Sequence, residues 1–272
     1  MAADLQEIQV NFTAGPGKSE SVGILARQGQ RIFFEYSPSW LQRKLELSPF
    51  TLPAKPGLME HKQREFGPLF GLFDDSLPDG WGLLLMDRHF RSMGLNPPDI
   101  SPLDRLLYLG RCTMGALTYQ PATEQDIPGN TVLDLHELAL QSQQIFAGPM
   151  EYAYSLMAAA AGVEMPQTRL FTTAQGDSFF GVKRFDRGPG NRRYHIHTFG
   201  NMIQSNFRIP ACDYGDLLKV TSILTRNHTD LLRAFRLMLF NVLAHNRDDH
   251  AKNFSFMQSD ATGQWALSPA YD

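Results

Sequence analysis

The run Ala244-His245-Asn246-Arg247-Asp248-Asp249-His250-Ala251-Lys252-Asn253-Phe254, with Tyr271-Asp272 beyond it, decides how the rest of the chain is read. Asp248 precedes Asn253 by five positions, and two short apolar segments, 254–257 and 265–267, flank the polar stretch Ser259–Gly263. That pattern predicts a hairpin whose return brings Asp272 beside Asn253. The loop then offers a carboxylate, an amide and a second carboxylate, which are oxygen donors suited to a hard cation such as Mg²⁺. His250 and Lys252 add nitrogen donors.

Phosphoryl transfer asks little covalent chemistry of a protein, so its sites are defined by charge placement. An Asp, an Asn five residues later and a further Asp after a hairpin follow the order of the protein-kinase catalytic loop and its metal ligands. On this reading Asp248 orients or deprotonates the attacking hydroxyl, and Asn253 and Asp272 hold Mg²⁺. His250 and Lys252 meet phosphate oxygens. Two plainer readings compete. His245, Asp248 and His250 could hold a transition metal, although no HExxH spacing is kept. The loop could also be a charged surface turn, an uncommon sequel to so apolar a helix as the one before it.

The chain has 272 residues, is 43% hydrophobic and 19% charged, and carries a formal net charge of -3. This composition describes a globular protein with room for two domains and no basic footprint for wrapping nucleic acid. Cys112 and Cys212 stand far apart without zinc spacing and read as buried free thiols in a reducing compartment. The polar start Met1-Ala-Ala-Asp-Leu-Gln-Glu is unlike a signal peptide, and no run approaches the roughly 18 apolar residues of a membrane span. A cytoplasmic protein with no membrane partner is expected.

Upstream of the loop, residues 8–12, 22–25 and 31–36 predict an antiparallel meander turned at Gly15-Pro16-Gly17. Gly17-Lys18-Ser19 resembles a phosphate-binding loop only superficially, because Phe12 stands where a glycine belongs and β-like sequence follows. Residues 37–68 read as irregular. Ser76 or Asp79 is expected to cap a helix from Gly80, and a metal site on Asp74, Asp75 and Asp79 is the lesser reading of that acidic lip. A helix at Pro102–Leu109 and a strand at Met114–Tyr119 close the first part. Helices are expected at Asp134–Phe146 and Pro149–Ala161, the latter with Glu151 in its first turn. A hairpin, Leu170–Thr173 with Ser178–Val182, runs into Lys183-Arg184-Phe185-Asp186-Arg187 as a hinge. A helix at Asp213–Thr225 and a Thr229/Asp230-capped helix, apolar nearly all round and so expected to be buried, lead into the loop.

Residues 246–255 with Leu267-Ser268-Pro269-Ala270-Tyr271-Asp272, the strand 182–187, Ser76-Leu77-Pro78-Asp79-Gly80-Trp81-Gly82 and Met114-Gly115-Ala116-Leu117 together resemble the HipA family of bacterial serine/threonine kinases. These are toxins of type II toxin–antitoxin modules. The resemblance runs from about residue 20 to the end. It implies an α+β, two-lobed, protein-kinase-like fold with ATP between the lobes. Its parts would be a β-rich subdomain at 1–122, the remainder of the N-lobe to the hinge at 123–186 and a helical C-lobe at 187–272.

By the same resemblance, Asp248 is the catalytic Asp, Asn253 and Asp272 are metal ligands, and His250 and Lys252 lie on the phosphate side. The backbone of Lys183 and Phe185 meets adenine, Asp186 the ribose, and Tyr271 lies close to the base. Glu151 is the N-lobe Glu that pairs with an ATP-binding Lys. The implied partners are a helix-turn-helix (HipB-like) antitoxin, operator DNA mainly through it, and a Ser-phosphorylated substrate such as an aminoacyl-tRNA synthetase.

The sequence departs from the pattern twice. No lysine occurs between Gln63 and Val182, and no Gly-rich phosphate loop precedes Glu151. The activation segment and later helices implied by the resemblance are also not in these residues. Two readings follow: an ATP- and Mg²⁺-dependent Ser/Thr kinase, and an inactive HipA-like protein that binds an antitoxin or target without phosphotransfer.

Overall fold

Alternation of apolar and polar residues from Leu5 onward builds the first layer. A computed structural model of the protein describes residues 5–122, 147–172, 178–209 and 211–271. The expected helix at 134–146, the turn at 175–177 and Asp272 lie outside them. Strands β1 (Leu5–Gly15), β2 (Lys18–Gln28) and β3 (Arg31–Tyr36) form the meander, with Ile8 opposite Leu25 and Leu25 opposite Phe34. Gly17 takes the turn at φ 67°, so Gly17-Lys18-Ser19 is a hairpin turn. With β4 (Met59–Glu60) and β5 (Leu117–Pro121) the sheet runs in the order β4-β3-β2-β1-β5.

Its inward residues Ile8, Val10, Phe12, Leu25 and Phe34 are fully buried against Trp40, Leu69, Phe73 and Leu106. Each such side chain contributes about 2 kcal/mol by leaving water. The irregular stretch 37–68 contains one short helix, α1 (Pro38–Arg43), capped by the Ser37 hydroxyl. Two further helices precede α4 (Pro102–Leu109, with a Ser101/Asp104 capping box): α2 (Gly71–Asp74) and α3 (Gly80–Ser92). Neither expected side chain caps α3. Asp79 makes no cap bond, and the Ser76 hydroxyl instead meets the buried Tyr119 phenol at 2.7 Å.

The second part is α5 (Ala147–Ala160) against the hairpin β6 (Thr168–Thr172) and β7 (Ser178–Val182). The third holds β8 (His195–Thr198), α6 (Phe199–Met202), α7 (Tyr214–Thr225), α8 (His228–Leu243), β9 (Ser255–Gln258) and β10 (Trp265–Leu267). The strands form the sheet β10-β9-β8, so the expected hairpin gains a third strand from just after the hinge.

Helix α8 corrects two expectations. Its cap is Asn227, whose side chain accepts from the Thr229 amide at 2.9 Å. This leaves Asp230, 3% exposed, to accept from the Leu267 amide and from Arg233, clasping β10. The helix is also not buried all round: Leu232, Phe235, Leu239, Val242 and Leu243 are 42–76% exposed. Only one stripe packs inward, because Phe256, Trp265 and α7 lie on one side of it. Both cysteines are free, but Cys112 is exposed and Cys212 half-buried, against the expectation of burial. No helix among the described residues is long and apolar enough to cross a membrane.

Candidate active site

The loop after α8 holds its shape through its own polar groups. His245 turns the chain at φ 56°, and the Asn246 amide returns to the Asn241 carbonyl at 2.9 Å. The Asn246 side chain accepts from the Asp248 amide at 3.1 Å. The Asp248 carbonyl then accepts from the His250 amide at 2.9 Å and the Asn253 side chain at 2.8 Å. This last bond commits the Asn253 amide nitrogen to the loop and leaves its amide oxygen as the metal-type donor. Asn253 is 8% exposed, whereas Asp248 is exposed. Asp249 is held from α7 by the Tyr214 hydroxyl, whose titration burial and then this carboxylate push upward.

Tyr271 is where the predicted residues meet. Its hydroxyl donates to the Lys252 carbonyl at 2.6 Å, and its ring stacks on Phe185 of the hinge at 5.2 Å. Three hollows share it. A cavity of about 610 Å³ is lined by Glu151, Asp248, Val182, Phe240 and Tyr271 among others. A shallower one of about 320 Å³ lies along Val182, Lys183, Phe185 and Asp186. A third, about 450 Å³, has His250, Lys252 and Asn253 on one wall and Leu77, Asp79 and Met86 on the other. Thus Asp248 faces one hollow while His250 and Lys252 line another.

Two of the expected contact residues carry partners within the chain. Asp186, expected at a ribose, is 2% exposed and fully engaged. Its carboxylate accepts from Arg184 (2.8 and 2.6 Å), Arg187 (2.5 Å) and the Gly115 amide (2.9 Å), which ties the hinge to the first module. Burial would raise its titration, but Arg184 and the Gly115 amide outweigh it and hold the carboxyl below the usual range. Beside it Arg193 donates to the carbonyls of Gly115, Arg111 and Thr113, and burial pushes its titration down to about 10.

Lys252, expected at a phosphate, has a side chain 10% exposed, bonded to Asp74 at 2.9 Å with Asp79 at 3.8 Å. Burial would lower its titration; Asp74 and Asp75 more than offset that and raise it. The Lys183 amide donates to the Gln167 carbonyl, so the hinge groups left for a base are the Lys183 carbonyl and the Phe185 amide. Among the described residues no three His, Cys, Asp or Glu side chains cluster as a metal site, so neither the His245/Asp248/His250 trio nor Asp74/Asp75/Asp79 forms one. Asp230, Arg193 and Asp75 were missed as organising residues, because nothing local in the sequence marks a partner more than thirty positions away.

Comparison with known proteins fits this geometry. The profile of the HipA-like C-terminal domain matches residues 125–272, and that of the HipA N-terminal domain matches 17–120. The chain belongs to the HipA family. Its fold superposes on a chain of the Shewanella oneidensis MR-1 toxin–antitoxin complex of HipA, HipB and operator DNA. That match has a TM-score of 0.70 at 17% identity, over 99% of this chain and 75% of that one, and it fixes the α+β, two-lobed HipA-like fold. Y4dM of Sinorhizobium fredii (strain NBRC 101917 / NGR234), provisionally named as a kinase, is 30% identical over 147 residues. That match covers 49% of this chain and 35% of Y4dM, so the HipA-family chain spans about a third of the curated relative it matches.

Proposed function

We propose that this HipA-family chain carries the C-lobe machinery of an ATP- and Mg²⁺-dependent protein serine/threonine kinase that acts in the cytoplasm as a toxin. The observation that carries the reading is the exposed Asp248 lining the 610 Å³ cavity, on a loop whose Asn246 and Asn253 side chains both bond the backbone of Asp248. That volume lies within the ordinary range of small-molecule sites. Its walls suit a nucleotide: Met165, Val182, Phe240 and Ala270 are apolar, and Asp248 and Asn246 are polar at one end. Mg²⁺ suits the Asn253 amide oxygen, with Asp272 as the proposed second ligand.

In this reading Asp248 accepts the proton of the acceptor serine hydroxyl as that oxygen attacks the γ-phosphorus of ATP, whose bond to the β,γ-bridging oxygen breaks to release ADP. His250 lies on the phosphate side, and Tyr271 with the Lys183 carbonyl and Phe185 amide holds the base. Glu151, on the wall of the same cavity, is the proposed N-lobe ion-pair Glu. The partner proposed is a HipB-like helix-turn-helix antitoxin, through which operator DNA is reached, as the composition of the Shewanella complex suggests. The substrate class is a protein of translation such as an aminoacyl-tRNA synthetase.

A second reading, an inactive HipA-like protein that binds an antitoxin or target, is favoured by one observation. Lys252 is tied to Asp74, and the sequence offers no lysine between Gln63 and Val182. The deciding experiment is incubation of the full gene product with γ-labelled ATP, Mg²⁺ and cell extract. Label transfer that disappears in Asp248→Asn supports the kinase, and absence of transfer leaves the binding protein.

A further inference from the structure

We infer that Asp74 and Asp75 are positioning residues for the loop 246–253, so that the N-terminal module is a working part of the phosphotransfer site. The inference rests on the phosphotransfer reading of that loop. Asp75 follows α2, and its side chain is 9% exposed. One of its oxygens takes the Thr198 amide at 2.8 Å and lies 2.5 Å from His197 Nδ1. The other takes the Thr198 hydroxyl and the Asn201 side chain, both at 2.7 Å. Asp74 accepts from Asn201 at 3.0 Å and from Lys252 Nζ at 2.9 Å. Lys252 Nζ also sits 5.1 Å over the Phe207 ring. Every one of these side-chain partners belongs to the C-terminal part of the chain.

The backbone is fitted to the same contact. A Cβ on Gly71 of α2 would lie 2.0 Å from the Asn201 carbonyl oxygen, and one on Gly200 of α6 would lie 2.9 Å from the Ala251 Cβ. Helix α2 therefore rests on α6, and α6 on the 3-10 turn Ala251–Asn253. From Lys252 the contact continues two ways. Its carbonyl takes the Tyr271 hydroxyl, and its neighbour Asn253 bonds the Asp248 carbonyl.

Burying the Asp75 carboxylate, and half-burying that of Asp74, is unfavourable unless both are paired. Here the pairing is complete only while the N-terminal module is docked. Docking and loop geometry are for that reason one equilibrium, and whatever moves α2 moves Asn253.

The test uses the full chain and reads hydrogen exchange of amides 246–254 without nucleotide, alongside ATP affinity with and without Mg²⁺. Asp74→Asn, Asp75→Asn and Lys252→Met are each expected to raise loop exchange about tenfold, with exchange in β1–β3 unchanged. Asp74→Asn and Asp75→Asn are also expected to reduce the Mg²⁺-dependent gain in ATP affinity about tenfold while leaving Mg²⁺-free affinity alone, a split that general loosening would not produce. The double variant Asp74→Asn/Lys252→Met should match either single variant. Unchanged loop exchange in folded Asp74→Asn and Lys252→Met overturns the inference, as does additivity of the pair. If Asp75→Asn does not fold, the Asp74/Lys252 cycle alone decides. If the wild type binds no ATP, the kinase reading falls, and the exchange arm still decides whether the module holds the loop.

Discussion

Asp248 and Asp75 are the same side chain on two sides of one loop, in opposite circumstances. Asp248 stands exposed on a cavity wall, whereas Asp75 is buried with both oxygens engaged by His197, Thr198 and Asn201. Burial works to raise the Asp75 carboxyl, yet His197 and Lys252 outweigh it and hold it below the usual range. A carboxylate so committed organises structure, and one left open to a cavity is available for chemistry. On the proposed function the molecule divides its acids between a working side and a holding side.

The comparison breaks most sharply at its working end. Asp248→Asn is expected to lower phosphotransfer by about 10³-fold and to move Tm by no more than about 2 °C, because an exposed isosteric change costs little stability. Phosphotransfer rate and a thermal melt on the same sample check both halves. A large fall in Tm would place Asp248 with the holding acids.

Asp186→Asn should behave oppositely, costing about 3 kcal/mol by leaving Arg184 and Arg187 without their carboxylate at a buried site. Urea unfolding midpoints at constant m-value would show it. A loss below about 0.5 kcal/mol would remove Asp186 from the holding group.

His195 gives the pH form of the same contrast. It is 1% exposed, with Nε2 on the Leu47 carbonyl, and burial pushes its titration down to about 4. Between that value and an unfolded value near 6.5, the unfolded chain binds a proton that the folded chain refuses. Stability should therefore fall by roughly 3 kcal/mol as pH drops through that window and stay flat above it. Stability curves from pH 7 to 4 should lose that slope in His195→Gln. The smallest effect expected is Asn227→Ala, about 1 kcal/mol from loss of the α8 cap, seen in the same unfolding assay.

Much of the scaffold was legible because its signals are local. The meander, the Pro102–Leu109 helix and the hairpin at 255–267 follow from alternation, capping residues and turn composition. The loop's own shape is local in the same way, since the Asn253 side chain bonds the Asp248 carbonyl five residues back. What was not legible depends on tertiary partners. Lys252 reads as a phosphate-side residue, and nothing near it marks Asp74, almost 180 positions upstream, as its ion-pair partner. Asp186 reads as a ribose contact, and nothing near it marks the Gly115 amide that joins two arginines on its carboxylate. Helix α8 reads as buried all round, because composition reports how apolar a helix is and not how many of its faces have neighbours.

The claim at the centre is that the loop 246–253 is a Mg²⁺-nucleotide site, and calorimetric titration of ATP into the full chain with and without Mg²⁺ tests it most directly. Mg²⁺ is expected to tighten ATP binding at least about tenfold in the wild type and in Asp248→Asn, and to lose that effect in Asn253→Ala. Binding that ignores Mg²⁺, or a Mg²⁺ effect that survives Asn253→Ala unchanged, would contradict the account.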